Sequence, residues 1–464
     1  MDQASRLRSL PARGVIRAAL GLAMTAALTL PGGGSLAAEP RAVTATPTLD
    51  MFEQLSLQRR AVRILAMPQV QAQKRRTEDL FRRSWIADTP DGRARLEYAA
   101  GQFAMASVED ALLDDPVRPR IMWIITPPGN VHGIQWPGSN WGSLNPDNFS
   151  RRVMMDGASQ YEISGQRTGP GPAQETFNLA DSIVGTQAQS VEGAKVVATL
   201  KTEDIHVAPD GSYTITIGPE PSGPEGNHLQ SVPGRNVLEI RNTLNDWWNE
   251  VPNRLRIRRV SGPFAPARSD EAIADEAAAL MAVQVPYWLK FNQQHLYDGP
   301  PNTTVSISGK RPGGWGYISS GWFKLNDDEA LVVTVAPMGA KYMAVQVADL
   351  WSSDPDYINR QSGLNKTQAK ANPDGTYTYV IAARDPGVWN WVDTVGLHMG
   401  GYAIRRQALA DTSITNATAI QSTRLVKIAD LKAALPAGTT WTGPGQRRKQ
   451  LEDRAASFAR RLAN

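Results

Sequence analysis

Cysteine is absent from this chain of 464 residues. That excludes thiol catalysis and any disulfide framework, so the fold must rest on its core. Histidine is scarce. His132, His206, His228, His295 and His398 are the only ones, and no two stand at metal-ligand spacing. A local two-histidine zinc site is thereby excluded, and no metal is expected. There is no G-x-S-x-G elbow for a serine nucleophile. The densest glycine cluster (Gly309, Gly313, Gly314, Gly316) lies beside Trp315 and Tyr317 and lacks the Lys-Ser/Thr ending of a phosphate loop. No cofactor is therefore expected. Past the N-terminus no apolar run is long enough to cross a bilayer.

The N-terminus has its own character. Arg6, Arg8, Arg13 and Arg17 precede an apolar run over 18–30, and Ser35-Leu-Ala37-Ala38 follows a Pro-Gly-Gly-Gly turn. Charge, apolar stretch and small residues in that order predict a secretory signal over 1–37, with periplasmic or secreted mature protein. Removing it takes the net charge from +4 to +1, so the basic balance belongs largely to the export segment. It gives no ground for a nucleic-acid partner. Oligomeric state is not legible.

Residues 38–118 read as helical, with apolar residues on one face and Pro68 interrupting the run. Arg59, Arg60, Arg63, Lys74, Arg75, Arg76, Arg82 and Arg83 make the region basic. A solvated helix face explains them, and contact with an anionic envelope surface is the alternative. From about 119 short alternating stretches such as Tyr213-Thr-Ile-Thr-Ile217 and Leu331-Val-Val-Thr-Val335 predict strands. A first sandwich is expected over 119–262 and a helical connector over 263–299, with helix 269–297 capped by Ser269. A second sandwich follows over 300–410, then a helical tail over 411–464 with helices at 424–434 and 446–462.

The two β regions read as copies. Trp141-Gly-Ser-Leu144 matches Trp322-Phe-Lys-Leu325, Tyr161 matches Tyr342, and Trp136 matches Trp315. Pro209-Asp-Gly-Ser-Tyr matches Pro373-Asp-Gly-Thr-Tyr, the cluster Trp247–Trp248 matches Trp389 and Trp391, and both copies reach Ile-Arg-Arg at Ile257 and Ile404. A period this long means a duplicated domain. The fold class expected is mainly β with helical flanks (α+β), as two tandem jelly-roll-like sandwiches related by internal duplication.

Within the second copy, Asp356-Tyr357-Ile-Asn-Arg360 is followed by Asn365 and by Asn372-Pro-Asp-Gly375. Asp385-Pro-Gly, Asn390-Trp391, Asp393-Thr394, Gly396 and His398 come next, and then Arg405. Over 350–406 this resembles the uncharacterised family DUF1214. The resemblance implies a β-sandwich and says almost nothing about chemistry.

Polar residues crowd the loops of that stretch, where a scaffold can aim several groups at one ligand. Two functions are carried forward. The first is an exported binding protein that holds an apolar, aromatic or glycan small molecule in a tryptophan-lined pocket. Trp389, Trp391, Asp356, Asn365 and Arg405 are its binding candidates. The second is a cofactor-independent hydrolase or lyase, with Asp393 and His398 as an acid–base pair beside Arg360 and Tyr357. A wholly structural role for the same polar residues competes with both.

Overall fold

The computed structural model describes residues 51–463, apart from 143–144, 187–193, 224–225, 307–312, 315 and 410–418. The predicted export signal, Trp315 of the Trp136–Trp315 match and Gly309 of the glycine cluster therefore lie outside the described residues.

Helices open the described chain. α1 (Met51–Leu65) ends before Pro68, which becomes the first residue of α2 (Pro68–Arg82). There the missing proline N–H costs nothing. In α3 (Pro90–Leu113) the Thr89 hydroxyl accepts from Gly92 N at 3.0 Å. From Leu96 onward α3 is buried on almost every side, so it is the centre of a helical layer. α4 (Asp270–Asn292) packs against it and is capped as expected, Ser269 Oγ accepting from Ala272 N at 3.2 Å. No helix among the described residues is long and apolar enough to cross a membrane.

The first β region runs β1 (Met122–Trp123), β2 (Gly129–Val131), β3 (Ile134–Trp136) and β4 (Asn148–Asp156). It continues with β5 (Gln160–Gln166), β6 (Gln174–Ala180), β7 (Val196–Lys201) and β8 (Ser212–Gly218). β9 (His228–Gln230), β10 (Arg235–Thr243) and β11 (Arg254–Ser261) complete it. The second comprises β12 (Val305–Ser306), β13 (Gly316–Lys324), β14 (Glu329–Val335), β15 (Ala340–Ala348) and β16 (Gly363–Asn365). β17 (Tyr377–Ala382), β18 (Trp391–Asp393), β19 (Met399–Leu409) and β20 (Ile420–Lys427) follow.

Each region folds into a five-stranded sheet over a four-stranded one. The first orders its sheets β1-β4-β10-β6-β7 and β11-β5-β8-β9. The second orders them β12-β13-β19-β15-β16 and β20-β14-β17-β18. The two patterns agree strand for strand, so the duplication is a property of the topology. Val153, Phe177, Ile215 and Ile240 fill the first sandwich, and Phe323, Leu331, Val345 and Tyr379 the second. Pairing is antiparallel except at β8–β9 and β17–β18, which are parallel in both copies. Those two pairs depart from the all-antiparallel jelly roll.

Most of the aromatic matches read from sequence do not survive this alignment. The Pro-Asp-Gly turns do: they precede β8 and β17, which correspond, with Gly211 and Gly375 at φ +84° and +81°. Trp141, however, lies ahead of β4 while Trp322 lies inside its counterpart β13. Tyr161 is in β5 and Tyr342 in β15, whose counterpart is β6. Ile257 is in β11 and Ile404 in β19. The reason is physical. A positive-φ turn accepts few residues, so its signature stays put, whereas an aromatic can serve many places on a strand or loop. A second correction concerns the tail: 424–427 is the end of β20, paired with β14, and helix begins after it. The last helix is α5 (Pro444–Ala463), following a single turn at Leu431–Ala434.

Candidate binding groove

After β10 the chain enters a loop where the Asp246 carboxylate accepts from the backbone N–H of Trp248 (2.8 Å) and Asn249 (3.3 Å). This local turn sends neighbouring indoles in opposite directions. Trp247 goes inward, 3 % exposed, and donates Nε1–H to Asp147 at 2.7 Å. Trp248 goes outward and stays 43 % exposed.

The second sandwich supplies the facing wall. Asn365 ends β16 with its side chain buried. Its Oδ1 accepts from Thr367 N (3.1 Å) and Gln368 N (3.2 Å), while its Nδ2 donates to Asp147 (2.8 Å). That fixes the strand exit, beyond which Lys370 is exposed while Gln368 Oε1 turns back to accept from Asn365 N and Arg454, both at 3.2 Å. Half-buried Trp389, on the loop between β17 and β18, donates Nε1–H to Gln368 O at 2.9 Å. The Lys370 ammonium stands 5.1 Å from the Trp389 ring centre.

α5 forms the third side. Gln450 Nε2 donates to Trp389 O (3.3 Å) and Arg454 Nε to Tyr357 O (2.7 Å). Burial pushes the Arg454 guanidinium down to about 10, against the opposing charge of Asp147. Together Trp247, Trp248, Trp389, Lys370, Gln450 and Asp453 help line a cavity of about 330 Å³.

Of the residues singled out in the sequence, Trp389 lines this groove and Asn365 braces it from behind. The rest are dispersed. Trp391 is 5 % exposed in an apolar cluster, its Nε1–H spent on Ala382 O, so it is core. Asp393 is buried and bound to Arg360 at 2.6 Å, and burial raises its carboxyl despite that partner. His398 is exposed and pairs through Nε2 with Asp327 at 2.9 Å. The acid–base pair of Asp393 and His398 does not form, because β18 turns Asp393 inward while the loop ahead of β19 keeps His398 at the surface. Tyr357 is buried edge-on against Phe458, and burial raises its hydroxyl far above the usual range. Asp356 caps its own turn at Ile358 N and Asn359 N. Arg405, on β19, faces a different cavity beside β4 and β10.

Sequence reasoning missed Trp248 as an exposed wall and missed the whole contribution of α5. The signals were there in part: a tryptophan pair after β10, and an amphipathic arginine-rich C-terminal helix. What no pattern showed is that these meet at one place.

Residues 147–242 match the family model described as "Protein of unknown function (DUF1214)". The match spans β4 to β10 of the first sandwich, not the 350–406 stretch that carried the resemblance. That stretch is the second copy's counterpart of the later part of the matched segment. The fold is similar to a crystal structure of an uncharacterized protein from Burkholderia cenocepacia, with TM-score 0.63 and 24 % identity over 80 % of this chain and 100 % of that one. A structure from Vibrio parahaemolyticus aligns with TM-score 0.37 and 14 % identity, over 61 % of this chain and 89 % of that one. No curated protein matches the sequence.

Proposed function

We propose that this chain is an exported binding protein that holds a small glycan in the groove between the two sandwiches and α5. One observation carries the reading. Trp248, 43 % exposed, and half-buried Trp389 reach a single 330 Å³ groove from different sandwiches. Indole faces stack on the apolar faces of sugar rings, and ring hydroxyls need donors and acceptors beside them. Gln368, Gln450, Lys370 and the carboxylates of Asp246 and Asp453 supply both kinds around the same opening. Export rests on the signal pattern over 1–37. The hydrolase or lyase alternative has lost its acid–base pair. Contact with an envelope surface would fall to the exposed Arg59, Arg75, Arg76 and Arg83, since Arg60 and Lys74 are engaged by Asp270 and Glu78.

The test is titration of the mature protein with a panel of mono- and oligosaccharides, followed by tryptophan fluorescence and calorimetry. Saturable binding that is lost in Trp248→Ala supports the reading. Absence of binding across the panel, or binding that Trp248→Ala leaves intact, refutes it.

A further inference from the structure

A second cavity, of about 140 Å³, lies where the outer faces of β4 and β10 meet Arg405 of β19 and Trp288 of α4. It is remote from the groove in its lining, sharing no residue with it. Its wall is rich in donors. Four arginines line it, Arg151, Arg152, Arg241 and Arg405, against one carboxylate, Glu239. Arg152 is 1 % exposed; it binds Asp110 and reaches Glu239 at 2.6 Å, while Arg241 takes the other Glu239 oxygen. Both Glu239 oxygens are thus already engaged by arginines.

Nε of Arg152 and Nε1 of Trp288, like Nε and Nη2 of Arg151, are buried donors of the lining that find no acceptor among the described residues. The first two belong to one stack. Arg152 lies over the Trp141 ring at 4.7 Å, and Trp141 stacks on Trp288 with centroids 5.5 Å apart and planes 18° apart. Stacking fixes both edges, so neither donor can rotate away to find another partner. Buried donors without acceptors are costly, and a pair beside a cavity calls for an acceptor to occupy it.

We propose that this cavity binds a small organic monocarboxylate. A carboxylate is acceptor-only and planar, which suits a guanidinium edge and an indole N–H together. The indole faces beside these donors favour an organic anion over inorganic phosphate. The flanking rings of Trp141 and Trp288 suit an organic body behind the carboxylate.

Calorimetry on the mature protein at low salt, with benzoate, benzamide and inorganic phosphate as probes, tests this. Benzoate is expected to bind saturably and benzamide, its neutral counterpart, at least tenfold more weakly. Trp288→Phe keeps an aromatic ring and removes the N–H, and should weaken benzoate about tenfold, the usual worth of a hydrogen bond to a charged group. If Trp288→Phe fails to fold, Arg405→Lys keeps the charge, loses the planar fork and should weaken benzoate severalfold. Equal binding of benzoate and benzamide, tighter binding of phosphate, no binding of benzoate, or full affinity in the folded variant would each overturn the proposal.

Discussion

Tyr342 of the second sandwich donates its phenolic O–H to Asp147 Oδ2 of the first at 2.7 Å. Asp147 also accepts from Trp247 Nε1 (2.7 Å) and Asn365 Nδ2 (2.8 Å), so one buried carboxylate ties together the ends of three loops and strands from both copies. Burial raises its pKa, opposed by the hydrogen bonds from Tyr342 and Asn365 and by the charges of Arg454 and Arg461. The groove's two inner supports, Trp247 and Asn365, hang on this residue.

Removing the acceptor should therefore cost more than removing one donor. Asp147→Ala orphans the buried donors of Trp247 and Asn365, while Tyr342 keeps Asn145 Oδ1 at 2.8 Å, and is expected to cost about 3 kcal/mol or more, against roughly 1–2 kcal/mol for Tyr342→Phe. Chemical denaturation of both variants reads the difference. Equal losses would show that Asp147 is not the tie.

Arg360 and Asp393 are a structural pair in this fold. Arg360→Ala leaves a buried carboxylate supported only by local backbone, and should cost about 1–3 kcal/mol. Binding in the groove should persist in the folded fraction, because Arg360 does not line it. A folded Arg360→Ala protein that has lost glycan binding would return this pair to the functional site.

Alkaline pH should weaken the protein through Glu109. This carboxyl on α3 is buried, and burial pushes it up to about 8 in spite of its hydrogen bond with Ser139. The folded chain then holds a proton that the unfolded chain releases near 4.5, so stability is full below 4.5 and declines as pH rises to about 8. Glu109→Gln should flatten that slope in denaturation curves taken across the range. An unchanged slope would mean that Glu109 is ionised in the fold.

Acid should act through Glu239 with the opposite sign. Burial pushes this carboxyl up, but Arg241 and Arg152 outweigh it and hold it at about 2. Its contribution, on the order of 3 kcal/mol, is present above pH 4.5 and is lost as pH falls toward 2. Glu239→Gln should remove that part of the acid dependence. A full acid slope in this variant would assign it to other carboxylates.

The paired turns give a further contrast. A Cβ at Gly375 meets open space, so Gly375→Ala should cost only the left-handed backbone strain, about 1 kcal/mol. At Gly211 a Cβ would come 2.5 Å from Arg167 O, so Gly211→Ala should cost distinctly more. Thermal melts of the two single variants decide it.

What the sequence determined by itself were the features written in local rules. Ser269 marks a helix start because a side-chain oxygen satisfies an orphan N–H. Alternation marks the strands, and the two Pro-Asp-Gly turns mark corresponding hairpin approaches because only glycine accepts the required φ without strain. Topology was legible as a duplication, yet its register was not, since aromatic residues are not bound to one place in a sandwich. The candidate sites belong to tertiary structure alone. Asp393 and His398 are five residues apart in sequence, but a strand end turned one inward and left the other at the surface. Trp248 and Trp389 lie far apart in sequence, and nothing local says that they share a cavity. The packing of α5 across both sandwiches decided that, through long-range burial of Arg454 and Arg461 against Trp247. Such contacts depend on how surfaces fit, and no periodicity along the chain encodes them.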